Sequence, residues 1–366
     1  MNEVSGTTDI QKGMRRTVVL DQWGLGLPGA DRGLGRYARQ LREAAAGLPD
    51  WNVVELARGD APGYRRLGAR LRELSESGKI VYHSTTPFHL PLRKQLPWVS
   101  SIQDTIPLDL KAYQRMGIRT RLAYNNAKRA DAIFANSQYT AQRIEERMGI
   151  PSDRIAIGSL PVSSVFFRED VSQRVEHPEP RSRPYVVGLA DMRTPDPRKR
   201  YKWIDDLAKW LRSAGISTVV TGRGLSAEQF PYCEVIGPKN DAQLAALYAG
   251  AVAFFYPSAY EGQGLPPLEA MATGCPVFAF ANSSITEMVG DGGFLLEDPA
   301  PWETQVFDEP LPAASAAEVT SKIVSIVHDG GALREIRDRG RERARALTWE
   351  AFRAGLSRAY ETADES

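Results

Sequence analysis

Cysteine is scarce in this chain: its 366 residues include only Cys233 and Cys275. Both sit in apolar or turn surroundings, which excludes a disulfide framework and a Cys/His zinc site and points to a reducing, cytoplasmic setting. No run of about 18 apolar residues occurs, so no segment reads as a membrane-crossing helix. Residues 1–13 are polar and lack the apolar centre of a signal peptide; they read as a lead-in outside the fold. Neither sign of charge dominates. The 46 basic and 45 acidic side chains leave a net charge of +1, which argues against a general nucleic-acid binder. Low-complexity tracts, internal repeats and clusters of metal ligands are also missing. What remains is a globular composition, 42% hydrophobic and 25% charged, in a chain too long for one ordinary core; two domains follow.

Strand-like and helix-like stretches alternate along most of the length. In the first half, residues 17–21, 51–56, 80–82, 98–102 and 131–135 read as strands. Helices are expected over 35–45, 64–77 and 119–129, and from a Ser137 cap to Met148. The segment 168–184 breaks the pattern: it has no apolar period, and three prolines fall within 175–184, which marks an interdomain linker. Alternation then resumes, with strands at 185–188, 218–221, 235–236, 251–256, 277–280 and 294–296. Helices are expected over 202–213, 241–248, 316–328 and 331–346, with a last one from about Trp349. This order predicts an α/β protein with parallel sheets and crossover helices, and a cleft between two halves as the site.

The most informative stretch is Glu261-Gly-Gln-Gly-Leu-Pro-Pro-Leu-Glu269. An apolar strand precedes it, and Pro266 and Pro267 suit the first positions of a helix, where no backbone N–H is needed. Gly274 and Pro276 would close that helix about two turns later. Strand, glycine loop and helix N-terminus together present unpaired N–H groups to an anion. Two carboxylates there make sense if they accept hydrogen bonds from hydroxyl groups of the same ligand. A phosphate flanked by hydroxyl-rich groups is a nucleotide sugar. The plainer alternative is a solvated loop glutamate followed by a helix-start carboxylate stabilised by the dipole.

Gly24-Leu-Gly26-Leu-Pro-Gly29 follows a strand and formally matches G-x-G-x-x-G, which keeps an NAD(P)-dependent oxidoreductase as a rival reading. Pro28 and Asp31 continue a loop where that fingerprint requires a helix. Gly33 and Gly35, at the helix start, are better placed as anion contacts, or serve only as turn glycines.

Glu261-x7-Glu269, with Gly-x-Gly-Leu-Pro between, resembles the signature of retaining glycosyltransferases of the GT-B fold, family 4. Arg32-Gly-Leu-Gly-Arg-Tyr37, Val81-Tyr-His-Ser84, Asp104-Thr-Ile-Pro107, residues 130–137, Asp196-Pro-Arg-Lys199 and Thr348-Trp349 are similar to further landmarks, so the resemblance covers nearly the whole chain. It implies two Rossmann-like domains facing each other across a cleft. Residues 1–170 would bind the acceptor, 171–184 link, 185–348 bind the nucleotide sugar, and 349–366 cross back to the first domain. Glu269 would bind the ribose hydroxyls and Glu261 those of the transferred sugar. Backbone N–H groups of Gly262, Gln263, Gly264 and Leu265 would contact sugar or phosphate. Arg198 and Lys199 would neutralise the diphosphate, Gly33 and Gly35 would approach it from the opposite domain, and the backbone of Val235 and Ile236 would meet the base.

Two departures from the family stand out. Gln103-Asp104 replaces the usual His-Asp, so the residue near the anomeric centre can hydrogen-bond but carries no charge. Leu189 follows Gly188 where relatives often carry Arg, and Arg193 is the candidate substitute. Asp104 either faces the cleft or caps the turn at Ile106, and His83 and His89 are ligands or satisfied structural histidines. Arg198, Lys199, Arg200 and Lys202 could equally form a solvated basic turn.

The expected activity is transfer of a sugar, with retention, from a nucleoside-diphosphate sugar to a hydroxyl of a glycan, glycolipid or small molecule. No metal or other cofactor is expected, and UDP or GDP is the expected donor nucleotide. A catalytically impaired sugar-nucleotide-binding protein of the same fold is the second rival, kept open by Gln103. Basic residues between Arg65 and Arg129 suggest either a solvated surface or a peripheral contact with the inner, anionic leaflet of a membrane.

Overall fold

The computed structural model describes residues 16–22, 25, 33–57, 59, 63–114, 117–168 and 183–366. Gly24, Gly26 and Gly29 of the formal fingerprint, Arg32, and 169–182 of the linker segment lie outside them. The described chain forms two six-stranded sheets, each wholly parallel.

The first sheet contains β1 (Arg16–Asp21), β2 (Trp51–Leu56), β3 (Ile80–Ser84), β4 (Trp98–Ile102), β5 (Ala132–Ala135) and β6 (Ile155–Ile157), in the order β2-β1-β3-β4-β5-β6. The second contains β7 (Tyr185–Asp191), β8 (Ser217–Arg223), β9 (Glu234–Ile236), β10 (Ala253–Tyr256), β11 (Val277–Phe280) and β12 (Phe294–Leu296), ordered β12-β11-β10-β7-β8-β9. Central strands such as β3, β4, β5, β10 and β11 are buried at every position, as parallel strands covered on both faces must be. In each sheet the strand order reverses beside the domain's first strand, between β1 and β3 and between β7 and β10. Ligands of open α/β sheets bind outside the carboxyl ends of the strands at such reversals.

Helices cover both sheets: α1 (Gly33–Ala46), α2 (Tyr64–Ser75), α3 (Ile118–Ala127) and α4 (Gln138–Met148) on the first, α5 (Lys202–Ser213), α6 (Asp241–Ala249), α7 (Leu265–Ala272), α8 (Ser283–Val289), α9 (Ala313–His328) and α10 (Gly330–Arg345) on the second. Ser137 caps α4 by accepting from the Thr140 N–H at 3.0 Å, and Gly149 closes that helix in the left-handed region. Several short elements exceed the sequence expectation: one-turn helices at Ile106–Asp109 and Lys111–Gln114, β6 with only three residues, and α8, which opens on two serines and ends within seven residues. Each is too short for an apolar period to declare itself.

The last helix, α11 (Trp349–Asp364), leaves the second domain and packs on the first. Phe352, Leu356, Ala359, Tyr360 and Ala363 share a core with Tyr37 and Leu41 of α1 and with Phe134 of β5. Contact is close enough that a Cβ on Gly355 would stand 2.0 Å from the Ile157 carbonyl oxygen. The Tyr360 hydroxyl lies 3.0 Å from His83 Nδ1, while His83 Nε2 lies 2.8 Å from Ser101 Oγ. Burial pushes the His83 imidazole down to about 3, so it is a neutral structural histidine. His89 is likewise engaged, 2.8 Å from Asp21.

Phe352→Ala should destabilise the first domain by about 3–5 kcal/mol, and Tyr360→Phe by about 1 kcal/mol. Hydrogen exchange in β4 and β5 measures both; full protection in the Phe352 variant would show that α11 is dispensable to this sheet.

Candidate active site

The loops that follow β7 and β10 flank the strand-order reversal of the second sheet, and they carry the site. β10 ends at Tyr256, the chain loops through residues 257–263, and Gly264 (φ 92°) introduces α7 with prolines in its first turn. Within the loop the Glu261 carboxylate is buried and heavily bonded. Lys199, Ser258 and Tyr256 converge on Oε1, with the Tyr256 hydroxyl at 2.7 Å, and the Arg198 guanidinium lies 3.3 Å from Oε2. The backbone is fixed by α8: the Glu261 N–H donates to Ser283 Oγ at 3.0 Å, and Ser284 Oγ donates to the Glu261 carbonyl at 2.9 Å.

Burial alone would raise the Glu261 carboxyl. The Lys199 and Arg198 cations and the hydrogen bonds from Lys199 and Ser258 outweigh it and hold the group at about 2. Burial in turn lowers Lys199, against the opposing pull of Glu261. Arg198 is raised: burial works against its charge, but Glu261, Asp196 and Asp104 overcome that. Both cations come from a turn capped by Asp196, which accepts from the Arg198 N–H. Arg200 departs from the expected solvated basic turn. It points into the core, where its guanidinium meets Asp298 at 2.9 and 3.1 Å and stacks 4.3 Å from the Trp203 ring centre.

A cavity of about 430 Å³ opens beside this cluster at the carboxyl ends of β7 and β8. Its walls include Lys199, Tyr256, Pro266, Leu244, Thr221, Gly222, Arg223, Pro238 and Lys239. Val235 and Ile236 lie in β9, one strand further out, and their half-buried side chains pack against the domain's two cores. Arg193 is exposed, its N–H bonded at 3.1 Å to Oδ1 of Asp191, which lines the cavity.

Glu269 lies one turn into α7, buried, with Arg36 of the opposite domain 2.6 Å from its Oε1. Burial raises this carboxyl to about 7, which the Arg36 charge only partly offsets and Asp241 reinforces. The two glutamates of one motif therefore sit in opposite electrostatic environments.

The first domain closes directly on the motif. A Cβ on Gly262 would stand 1.9 Å from the Gln103 carbonyl oxygen, so only glycine fits there. Ser137 and Thr140 hydroxyls donate to the Gly262 carbonyl at 2.6 and 3.0 Å. The Gln263 side-chain amide pairs with the backbone of Leu160 at 3.1 and 2.8 Å, and Leu265 packs against cores of both domains. Asp104 caps its turn, Oδ1 accepting from the Ile106 N–H at 3.0 Å, and also feels Arg198, Glu261 and Lys199; burial raises its carboxyl. Gly33 and Gly35 begin α1 beside Arg36.

Sequence reasoning missed Tyr256, Ser258, Ser283 and Ser284 around Glu261, and Arg36 and Asp241 around Glu269. Asn282-Ser283-Ser284 after an apolar strand carried a usable signal, being polar residues at a strand's carboxyl end. Arg36 gave none, because its partner lies 233 positions away (269 − 36). Among the described residues no group of three His, Cys, Asp or Glu could hold a metal ion, and no helix is long and apolar enough to cross a membrane.

Residues 225–307, which include both motif glutamates, Asp241 and the α8 serines, match the family "Glycosyl transferases group 1". In fold, the chain superposes on Anabaena HepE, solved in complex with UDP, with a TM-score of 0.67 at 17% identity, covering 93% of this chain and 98% of that one. The chain has a GT-B fold, and its residues 225–307 resemble the group 1 glycosyl transferases. Among curated relatives of this GT-B protein, the serotype-specific mannosyltransferase WbdA of Escherichia coli is 31% identical over 53% of this chain and 27% of its own length. The O-antigen chain mannosyltransferase B of Escherichia coli is 28% identical over 64% of this chain and 65% of its own. The alignment thus spans about a quarter of the first relative and less than two thirds of the second.

Glu261→Gln should strip the counter-charge from two buried cations and cost on the order of 3 kcal/mol at neutral pH. The carboxyl is depressed on folding, so its contribution is full above pH 4.5 and is lost as pH falls toward 2. The thermal unfolding of wild type and variant should therefore draw together as pH falls from 4.5 toward 2. A gap of constant size would show that Lys199 and Arg198 do not hold the carboxylate.

Proposed function

We propose that this GT-B protein is a retaining glycosyltransferase using a nucleoside-diphosphate sugar and an acceptor hydroxyl, without a metal ion. The observation that carries the reading is the pair of motif carboxylates on a loop and helix that border one cavity: Glu261 is bonded to its wall residues Lys199 and Tyr256, and Glu269 lies on α7, whose Pro266 lines it. In this reading Glu269 accepts from the ribose diol. Glu261 Oε2, whose one hydrogen-bond partner among the described residues is Arg198 at 3.3 Å, has lone pairs left for the sugar hydroxyls. Lys199, Arg198 and the N-terminus of α7 stabilise the departing diphosphate. The acceptor oxygen attacks C1 on the face from which the diphosphate leaves. The C1–O bond to phosphate breaks, the new C1–O bond forms, and the hydroxyl proton passes to a phosphate oxygen. Closure of the Gln103–Asp104 turn on Gly262 excludes water from that step. The relatives' names make a mannosyl donor the first to try.

A thermal-shift panel of UDP-, GDP- and ADP-sugars with EDTA present should give one stabilising donor, and NMR of the product should show the donor's anomeric configuration. Stabilisation by NADH alone would favour the oxidoreductase reading; donor binding without transfer or hydrolysis would favour the impaired one. Glu269→Ala should chiefly weaken nucleoside-diphosphate binding in calorimetry, and Glu261→Ala should chiefly lower turnover.

The proposal includes a peripheral contact with an anionic lipid surface. α3 exposes Ile118 (77%) and Leu122 (61%), and Leu92 (63%) is also exposed. Residues 110–130 contain no Asp or Glu, while Arg119, Arg121 and Lys128 are exposed beside the aliphatics. An apolar tip ringed by cations suits anionic headgroups. Co-sedimentation with vesicles of phosphatidylcholine and phosphatidylglycerol at low salt should succeed, and should fail for Ile118→Ser with Leu122→Ser. Wild type that stays in solution at low salt would remove this contact.

A further inference from the structure

We propose that Arg36 is a positioning residue for the donor: from the first helix of one domain it fixes the Glu269 carboxylate of the other as a hydrogen-bond acceptor, so ribose recognition is completed only when the domains meet. This rests on the donor reading above.

Arg36 occupies the first turn of α1 and crosses the cleft. Its guanidinium lies 2.6 Å from Glu269 Oε1 and 3.4 Å from Asp241 Oδ2, the latter in the first turn of α6. The Glu269 side chain is only 4% exposed and Arg36 25%. A carboxylate so enclosed needs a partner to remain charged, and a cation contacting one oxygen leaves the other to accept from a diol.

The remaining groups around α7 do not supply that charge. α6 contributes Asp241, whose charge opposes ionisation of Glu269, and the buried phenol Tyr248, which Glu269 holds neutral by raising it together with burial. On the side of α10, Arg341 reaches toward the Thr273 carbonyl at 3.4 Å and Arg337 acts on Cys275. α8 turns the Glu287 carboxylate away, to the Gln138 and Tyr139 N–H groups, and the Tyr256 hydroxyl is bonded to Glu261. The charge that favours the ionised Glu269 therefore comes from the other domain. Separating the domains removes that cation from a carboxyl that must be ionised to be the better acceptor for a diol.

The test is calorimetric binding of UDP, GDP and ADP to the full chain between pH 6.5 and 9. Wild type, Arg36→Ala, Arg36→Lys, Asp241→Asn and Glu269→Gln are compared for the diphosphate that binds. Ionisation of the probe is common to all variants and cancels in the ratios. Arg36→Ala should bind on the order of tenfold more weakly at pH 7, the deficit shrinking toward pH 9 as the carboxyl ionises without help. Arg36→Lys should restore most of the affinity. Asp241→Asn should move the profile the other way, binding more tightly than wild type at pH 6.5. In the Glu269→Gln background, adding Arg36→Ala should have no pH-dependent effect.

A deficit of equal size at every pH would make Arg36 a phosphate contact or a scaffold and overturn the proposal, as would wild-type affinity in Arg36→Ala. Unchanged thermal unfolding of the variants separates these results from misfolding. If folded wild type binds none of the three diphosphates, the donor reading fails and takes this role with it. If one binds and Arg36→Ala is pH-flat, only this inference fails.

Discussion

The buried Glu261 carboxylate and the two cations that hold it organise the second domain's face of the cleft. An ionised carboxyl removed from water is tolerated only with its charge matched and its lone pairs engaged. Lys199 and Arg198 come from the loop after β7, Tyr256 and Ser258 from the end of β10 and the loop beyond, and Ser283 and Ser284 from α8 after β11. One charge thus ties together the loops that follow three neighbouring strands, at the point where the strand order turns. Moving any of them strands a cation or an anion in a dry environment, and this cost makes the loops a preorganised surface instead of flexible connections.

The second constraint is the fit between the domains. The Gly262 backbone lies so close to the Gln103 carbonyl that no side chain is possible, and hydroxyls of Ser137 and Thr140 take up its carbonyl. Around this contact Tyr260 donates to Asp109 at 2.7 Å, Glu287 caps the start of α4, and Ile106, Leu110, Ala259, Tyr260 and Phe307 form a small shared core. The glycines of the motif therefore have two uses. Gly264 sets the entry to α7, whereas Gly262 admits the opposite domain.

How much of this was legible in the sequence follows from the range of the forces involved. Nearly every strand and helix could be read, because apolar period and capping are local: Ser137 announced α4, and the proline pair announced α7. The motif glutamates were legible for the same reason, being eight residues apart on a loop–helix unit with its own punctuation. β6 and α8 were too short to show a period. Arg200 read as one more basic turn residue, since nothing nearby in sequence reveals that Asp298 waits in the core for it. Arg36 stood in a glycine loop that drew attention to its glycines, and only the meeting of the two domains gives its charge a purpose.

The two motif carboxylates show what that meeting accomplishes. Within eight residues of one another, burial acts on both in the same direction, yet one is held at about 2 and the other at about 7. The difference lies in where the compensating cations originate. Those of Glu261 belong to its own domain and are present whether or not the cleft is closed. The cation of Glu269 comes from the other domain. If the carboxylates divide a donor between them, the sugar end meets a carboxylate whose cations are always present, while the ribose end meets one whose cation arrives with closure. The domain contact then does more than shield the reaction from water: it delivers the cation that favours the ionised form of a recognition group.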